Sequence, residues 1–282
     1  VLVFVIVVTW TVKVWPQSAN KIYRIGFLLT TTADTDVPRL LLEQLQRLGY
    51  VQGQNVVVEQ SDNASELVQR KVDVIVVFGT SPALAAKKAT STIPIVMWSS
   101  ANPIANGLIA SLARPGGNVT GLTSLSGELG GKRLEVLKDA VPRLSRVIVP
   151  APAGSVTEDA FIKETEPAAR ALKIQLVRFK VRGPEDYEAI FKAARKERAN
   201  GLLSRLPRAI TPAPQRKQLI DLAAKYRLPA SYEGIEWVEE GGLMSYGLDR
   251  KERLERAAAI IDKILKGTTP QEIPVEQPMG FV

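Results

Sequence analysis

The chain has 282 residues, a formal charge of +8 from 37 basic and 29 acidic residues, and a 45% hydrophobic content. This composition describes a folded chain with room for one large α/β domain or two ordinary lobes, and it excludes a disordered one. Cysteine and histidine are both absent, which removes thiol nucleophiles, disulfides, Cys/His zinc sites and histidine-based proton transfer.

Residues 1–10 are nearly all apolar and too few to span a bilayer as a helix. Within a signal-like segment of residues 1–20 they read as the apolar region of a secretory signal, with a small-residue site near Ser18 and Ala19, or else as a buried strand. The first reading implies a periplasmic or otherwise exported protein, which suits a chain without free thiols. The basic residues are mixed with acidic ones, as in 250–256, and accompany no recognition motif. They read as a solvated surface, and no nucleic-acid partner is expected.

A strand is expected over 21–29, with Thr30, Thr31 and Thr32 at its carboxyl end. Asp36 caps the following helix, Pro38 lies in its first turn, Gly49 follows its end, and Leu41, Leu45 and Leu48 form its apolar stripe. A second strand covers 55–59. The connection 60–71 to the third strand, 72–78, is near the minimum for a parallel crossover. Gly79-Thr80-Ser81-Pro82 is then a polar turn in which Thr80 or Ser81 caps a helix over 83–89. A helix start with hydroxyls and free amides suits a carboxylate or phosphate.

The stretch 93–123 reads as a buried strand (93–98), a polar turn with Ser99, Ser100 and Asn102, one helix, a Gly-rich hinge and a strand over 119–123. Two neighbouring hydroxyl-lined turns beyond strand carboxyl ends make a crevice of the kind in which open α/β sheets bind ligands. Trp98 reads as core, with a stacking platform as the alternative. Leu134, Leu137 and Val141 mark another helix.

A second series follows: strand 146–149, helix 158–172, strand 174–181, helix 184–199, strand 201–204, helix 214–227 and strand 228–232. Pro167 is expected to kink or break its helix. The segment 241–247 leads to a helix that Asp249 and Glu252 open with a capping-box pattern and Gly267 ends. Two strand–helix series of about 100 residues each argue for two lobes with a cleft between them.

Glycine patterns do not make this a nucleotide site. The run 116–121 follows a helix and precedes a strand, the reverse of a dinucleotide loop, and 127–132 lacks both the spacing and the magnesium-holding hydroxyl of a phosphate loop. No cofactor and no metal are implied. Glu239-Glu240 and Glu185-Asp186 read as solvated acids rather than an acid–base pair, so no enzyme is expected.

Several stretches resemble the substrate-binding proteins of ABC importers often labelled tryptophan/tyrosine transport. They are 23–28 (YRIGFL), 48–55 (LGYVQGQN), 71–77 (KVDVIVV), 89–96 (ATSTIPIV), 107–121 (GLIASLARPGGNVTG), 131–138 (GKRLEVLK), 222–230 (LAAKYRLPA), 241–247 (GGLMSYG) and 274–278 (PVEQP). The resemblance implies two Rossmann-like α/β lobes with parallel sheets joined by a hinge, the periplasmic binding protein-like I fold. Lobe I would hold 21–124 and 248–270, and lobe II 125–247 and 271–282. It further implies a small-molecule ligand in the interlobe cleft and delivery to an ABC permease and its ATPase, with the membrane met only through that permease.

Carried over by position, the ligand contacts are Thr30, Thr80, Ser81, Ser99, Ser100 and Asn102, with Tyr232 and Tyr246 on the lobe II side and hinge. Relatives commonly have Asp where this chain has Asn102. With Arg205 and Arg208 after a strand end, this departure raises a ligand more anionic than a simple amino acid, against solvated arginines. The other readings are a ligand-sensing module of the same fold and a truncated relative that no longer binds ligand, given the shortened loops and the early stop.

Overall fold

The computed structural model describes residues 21–29, 36–100, 102–124, 126–154, 158–206, 211–277 and 280–281. The expectations for segment 1–20, Thr30 and Arg208 lie outside them. Two five-stranded parallel sheets form two α/β lobes. The first sheet contains β1 (Tyr23–Leu28), β2 (Val56–Ser61), β3 (Val74–Phe78), β4 (Ile95–Ser99) and β5 (Val119–Gly121), in the order β2-β1-β3-β4-β5. The second contains β6 (Arg146–Pro152), β7 (Gln175–Val181), β8 (Gly201–Leu203), β9 (Ala230–Tyr232) and β10 (Met244–Ser245), in the order β10-β9-β8-β6-β7. Numbered within its own lobe, each sheet runs 2-1-3-4-5. The order therefore reverses between β1 and β3 in one lobe and between β6 and β8 in the other. Ligand crevices of open α/β sheets lie at such reversals, beyond the carboxyl ends.

Central strands are apolar because helices cover both faces. Helices α1 (Val37–Arg47), α2 (Ala64–Gln69), α3 (Thr80–Ala89) and α9 (Arg250–Leu265) belong to the first lobe. The short crossover after β2 is made by α2, which Asn63 caps by accepting from the Ser65 amide at 2.9 Å. Gly26 in β1 leaves the space that Leu67 of α2 and Val72 fill, 3.2 Å from where a Cβ would stand. The second lobe has α4 (Ser126–Ala140), α5 (Glu158–Ala171), α6 (Tyr187–Lys196), α7 (Ala213–Lys225) and α8 (Ile235–Glu239). The glycines of the phosphate-loop-like run lie inside α4. A Cβ on Gly130 would meet the Phe161 ring of α5 at 2.7 Å, so that glycine lets two helices approach closely.

The segment after α1 is joined to α9 by Tyr50, whose hydroxyl donates to Asp262 Oδ1 at 2.8 Å. Burial, and then the Asp262 carboxylate, hold the phenol well above its ordinary pKa. Tyr50→Phe is expected to lower stability by about 1 kcal/mol in urea unfolding; an unchanged midpoint would show the bond to be dispensable.

Several expectations are corrected. No helix forms over 103–113: Leu108 N bonds back to Pro103 O and Ala110 N to Pro115 O, so the chain turns on itself between prolines. Helix α5 runs through Pro167 unbroken, because Pro167 and Lys163, whose carbonyl loses its partner, both lie on the exposed face. Asp249 caps α9 by accepting from Lys251 N at 2.8 Å, yet its own amide donates to Gly280 O at 2.8 Å rather than to Glu252.

The chain crosses between lobes after β5 and again after β10, and its tail joins both crossings. Leu122 bridges Glu276, and Leu248 bridges Phe281. The tail was expected in lobe II from residue 271 onward. Ile273 and Val275 instead pack in the first lobe's core, where Thr120 Oγ1 donates to Ile273 O at 2.8 Å and Val275 N to Leu112 O at 2.8 Å.

Candidate functional site

The turns after β3 and β4 form one hydrogen-bonded unit. Gly79 takes φ = 98°, a conformation that favours glycine, and starts α3. The first intrahelical bond of that turn, Ala83 N to Gly79 O, leaves the Thr80 and Ser81 amides ahead of the ladder. Gly79 N donates to Ser99 O at 2.9 Å, and the Thr80 and Ser100 hydroxyls lie 3.1 Å apart. The Ser100 carbonyl accepts from the Thr123 hydroxyl at 2.8 Å and from Ser124 N at 3.0 Å. The same residue thus touches the α3 start through its side chain and the first crossing strand through its backbone.

The structure therefore brings Thr80, Ser99 and Ser100 together, with Ser81 exposed beside them. Asn102 is exposed and adopts φ = 44°, which an Asn tolerates. Its Oδ1 accepts from Ala105 N at 3.2 Å and its carbonyl from Asn106 N at 3.2 Å, so the side chain closes its own loop. Behind this unit stands an aromatic row: Phe27 and Phe78 stack at 6.4 Å, and Trp98 tilts against Phe78 at 6.1 Å. Trp98 is core, and the Arg253 guanidinium lies 4.5 Å over its ring while donating to its carbonyl at 3.0 Å.

The Arg-Pro-Gly-Gly-Asn-Val-Thr-Gly run holds this unit from below. Asn118 Nδ2 donates to Thr90 O at 3.0 Å and Ile93 O at 2.8 Å, and the Asn118 carbonyl accepts from Ile95 N at 2.7 Å. Gly121 then passes so close to Met97 that a Cβ would lie 2.9 Å from its carbonyl carbon.

In the second lobe Tyr232 is 1% exposed and stacks on Trp237 at 4.8 Å. Burial raises its phenol pKa, and its ring is committed to the core. Tyr246 is half-buried on the second crossing, stacked on Phe281 at 5.4 Å. Arg205, at the second lobe's order reversal, is neither solvated nor open to an anion along Nη1, which donates to Glu233 Oε1 at 3.2 Å. Its guanidinium lies 4.9 Å over Phe161. Arg133 of α4 donates from Nε to the Tyr246 carbonyl at 2.6 Å, and its Nη1 lies 3.7 Å from Glu233 Oε1. Burial lowers the Arg133 pKa, partly opposed by Glu233. Sequence reading missed Arg133, Glu233 and Arg253. No local signal marks them, because the packing of α4 beside β9 and of α9 beside β4 is what brings them to their partners.

Residues 41–281 match the family model described as ABC transporter substrate binding protein. The chain belongs to the ABC transporter substrate binding protein family. A curated relative, a Tyrosine-binding protein of Clostridioides difficile (strain R20291), is 27% identical over 252 residues, covering 83% of this chain and 69% of that protein. The crystal structure of a conserved domain protein from Vibrio cholerae O1 biovar eltor superposes with a TM-score of 0.80 at 24% identity, over 93% of this chain and 90% of that one. An ABC domain from Streptococcus pneumonia, crystallised in complex with L-Trp, gives 0.78 at 19% identity over 92% and 89%. These structural likenesses establish the fold, that of type I periplasmic binding proteins. A substrate-binding protein of this family is a solute binder rather than an enzyme. Among the described residues no helix is long and apolar enough to cross a membrane.

Proposed function

We propose that this substrate-binding protein is exported, captures a small amino-acid-like carboxylate in the cleft between its lobes, and delivers it to an ABC permease driven by an ATPase. The observation that carries the reading is the unit formed by Thr80, Ser99 and Ser100. It lies at the carboxyl ends of β3 and β4, with the Thr80 and Ser81 amides ahead of the α3 ladder. Amides and hydroxyls at a helix start are a ready site for a carboxylate. The Ser100 carbonyl ties that site to the first crossing strand, so a ligand there acts on the element about which the lobes close.

The curated relative's name puts aromatic amino acids first among candidates. Calorimetry with L-tyrosine, L-tryptophan, L-phenylalanine and a set of small mono- and dicarboxylates tests this. Saturable one-to-one binding of an amino acid is the expected result. Saturable binding of none of these compounds would refute the reading.

A further inference from the structure

We propose that Glu233 is the ligand-facing carboxylate of the second lobe and holds a protonated amine of the bound molecule. This rests on the solute-binding reading above and assigns the opposite pole of the same ligand. Glu233 follows β9 directly, at the carboxyl edge of the second sheet. Its backbone touches the second crossing, since a Cβ on Gly247 would stand 2.9 Å from the Glu233 carbonyl carbon. It therefore sits where the chain passes between lobes.

The side chain is anchored on one side and open on the other. Oε1 takes the Arg205 hydrogen bond at 3.2 Å and faces Arg133 Nη1 at 3.7 Å, whereas Oε2 accepts no hydrogen bond among the described residues. The Glu233 side chain is 21% exposed, against 4% for Arg133 and 9% for Arg205. Of these three groups, only the carboxylate is presented to an incoming molecule. Both guanidiniums are held from behind, Arg133 by the Tyr246 carbonyl and Arg205 by the Phe161 face. They are positioning residues that fix the carboxylate before any ligand arrives, which lowers the ordering cost of binding.

A carboxylate with one oxygen committed and one open complements an ammonium through a charge-assisted hydrogen bond. The first lobe offers hydroxyl and amide donors, which suit the ligand's carboxylate. A zwitterion is thus gripped at opposite poles by opposite lobes, and closing the lobes brings both contacts into reach. A ligand carboxylate would instead have to reach Arg133 and Arg205 past Glu233, which is more exposed than either guanidinium and shares their ion pairs.

The test is calorimetry on the full chain with L-tyrosine and L-tryptophan, their deaminated counterparts 3-(4-hydroxyphenyl)propionate and indole-3-propionate, and a set of sugars. Wild type is expected to bind an amino acid at least about tenfold tighter than its deaminated counterpart, as one charge-assisted bond predicts. Glu233→Gln is expected to bring that ratio to within about threefold while leaving the deaminated acid nearly unaffected. Because Glu233→Gln leaves two buried cations less compensated, Glu233→Asp serves as the second variant: it keeps the charge, withdraws it by one methylene and is expected to narrow the ratio part-way. Equal weakening of both ligands by either variant, an unchanged ratio, or a wild-type preference for the deaminated acid would overturn the Glu233 assignment alone. Binding of a sugar only, or of nothing, would overturn it together with the amino-acid reading.

Discussion

Gly121→Ala is expected to be the most destabilising single-methyl substitution in the first lobe. Gly121 ends β5 with φ = 128°, a conformation that other residues rarely adopt. The added methyl would press into the Met97 amide nitrogen and carbonyl oxygen, with the carbonyl carbon at 2.9 Å. Those are backbone atoms of β4, so no side-chain rotation relieves the overlap. Met97 O also accepts from Leu122 N at 2.7 Å, and parting the strands breaks that bond at the first crossing. Backbone strain and overpacking together are expected to cost on the order of 3 kcal/mol, read as a lower urea midpoint. Gly117→Ala is the control: its φ is not positive, nothing lies within 4 Å of its Cβ position, and a change within about 0.5 kcal/mol is expected. Equal effects from the two would show that the close pass at β4 does not matter.

Thr80→Val is expected to produce the largest loss of ligand affinity for the smallest structural change. Thr80 is 7% exposed and its hydroxyl meets that of Ser100 at 3.1 Å. Valine keeps the shape and removes the hydroxyl from the turn that starts α3. Hydrogen bonds to a charged ligand group are worth about 1.5–3 kcal/mol, so a fall of roughly ten- to hundredfold is expected. Ser81→Ala, beside it on the exposed side, is expected to lose less. Unchanged affinity in Thr80→Val, with the fold intact by circular dichroism, would move the ligand away from the α3 start.

Much of the fold was legible because parallel strands buried on both faces write themselves as short apolar runs between polar turns. The runs at 72–78 and 93–98 contain β3 and β4 within one or two residues. The helix expected between the polar turn and the Gly-rich hinge does not form, because the bonds that decide the course of 103–113 run back to Pro103 and out to Pro115. The capping pattern at Asp249 and Glu252 was half right. Local chemistry placed the cap, and a tail residue thirty-one positions from Asp249 took its amide.

The candidate site divided along the same line. That Thr80, Ser99 and Ser100 lie together was legible because each ends or closely follows a strand in sequence. Tyr232 looked equally well placed, but pairing with Trp237 turns its ring into the core. Arg133 and Glu233 were not readable: one hundred residues separate them, and only the packing of α4 beside β9 brings them together.

One small molecule is proposed to bind between the two lobes at the carboxyl ends of their sheets. Native mass spectrometry of the gently purified protein, with L-tyrosine and L-tryptophan added in turn, tests it most directly. The expected spectrum shows a single added ligand per chain in wild type, reduced in Thr80→Val. A spectrum at the bare-chain mass under every condition, or equal ligand retention by both proteins, would rule out a ligand held at the α3 start.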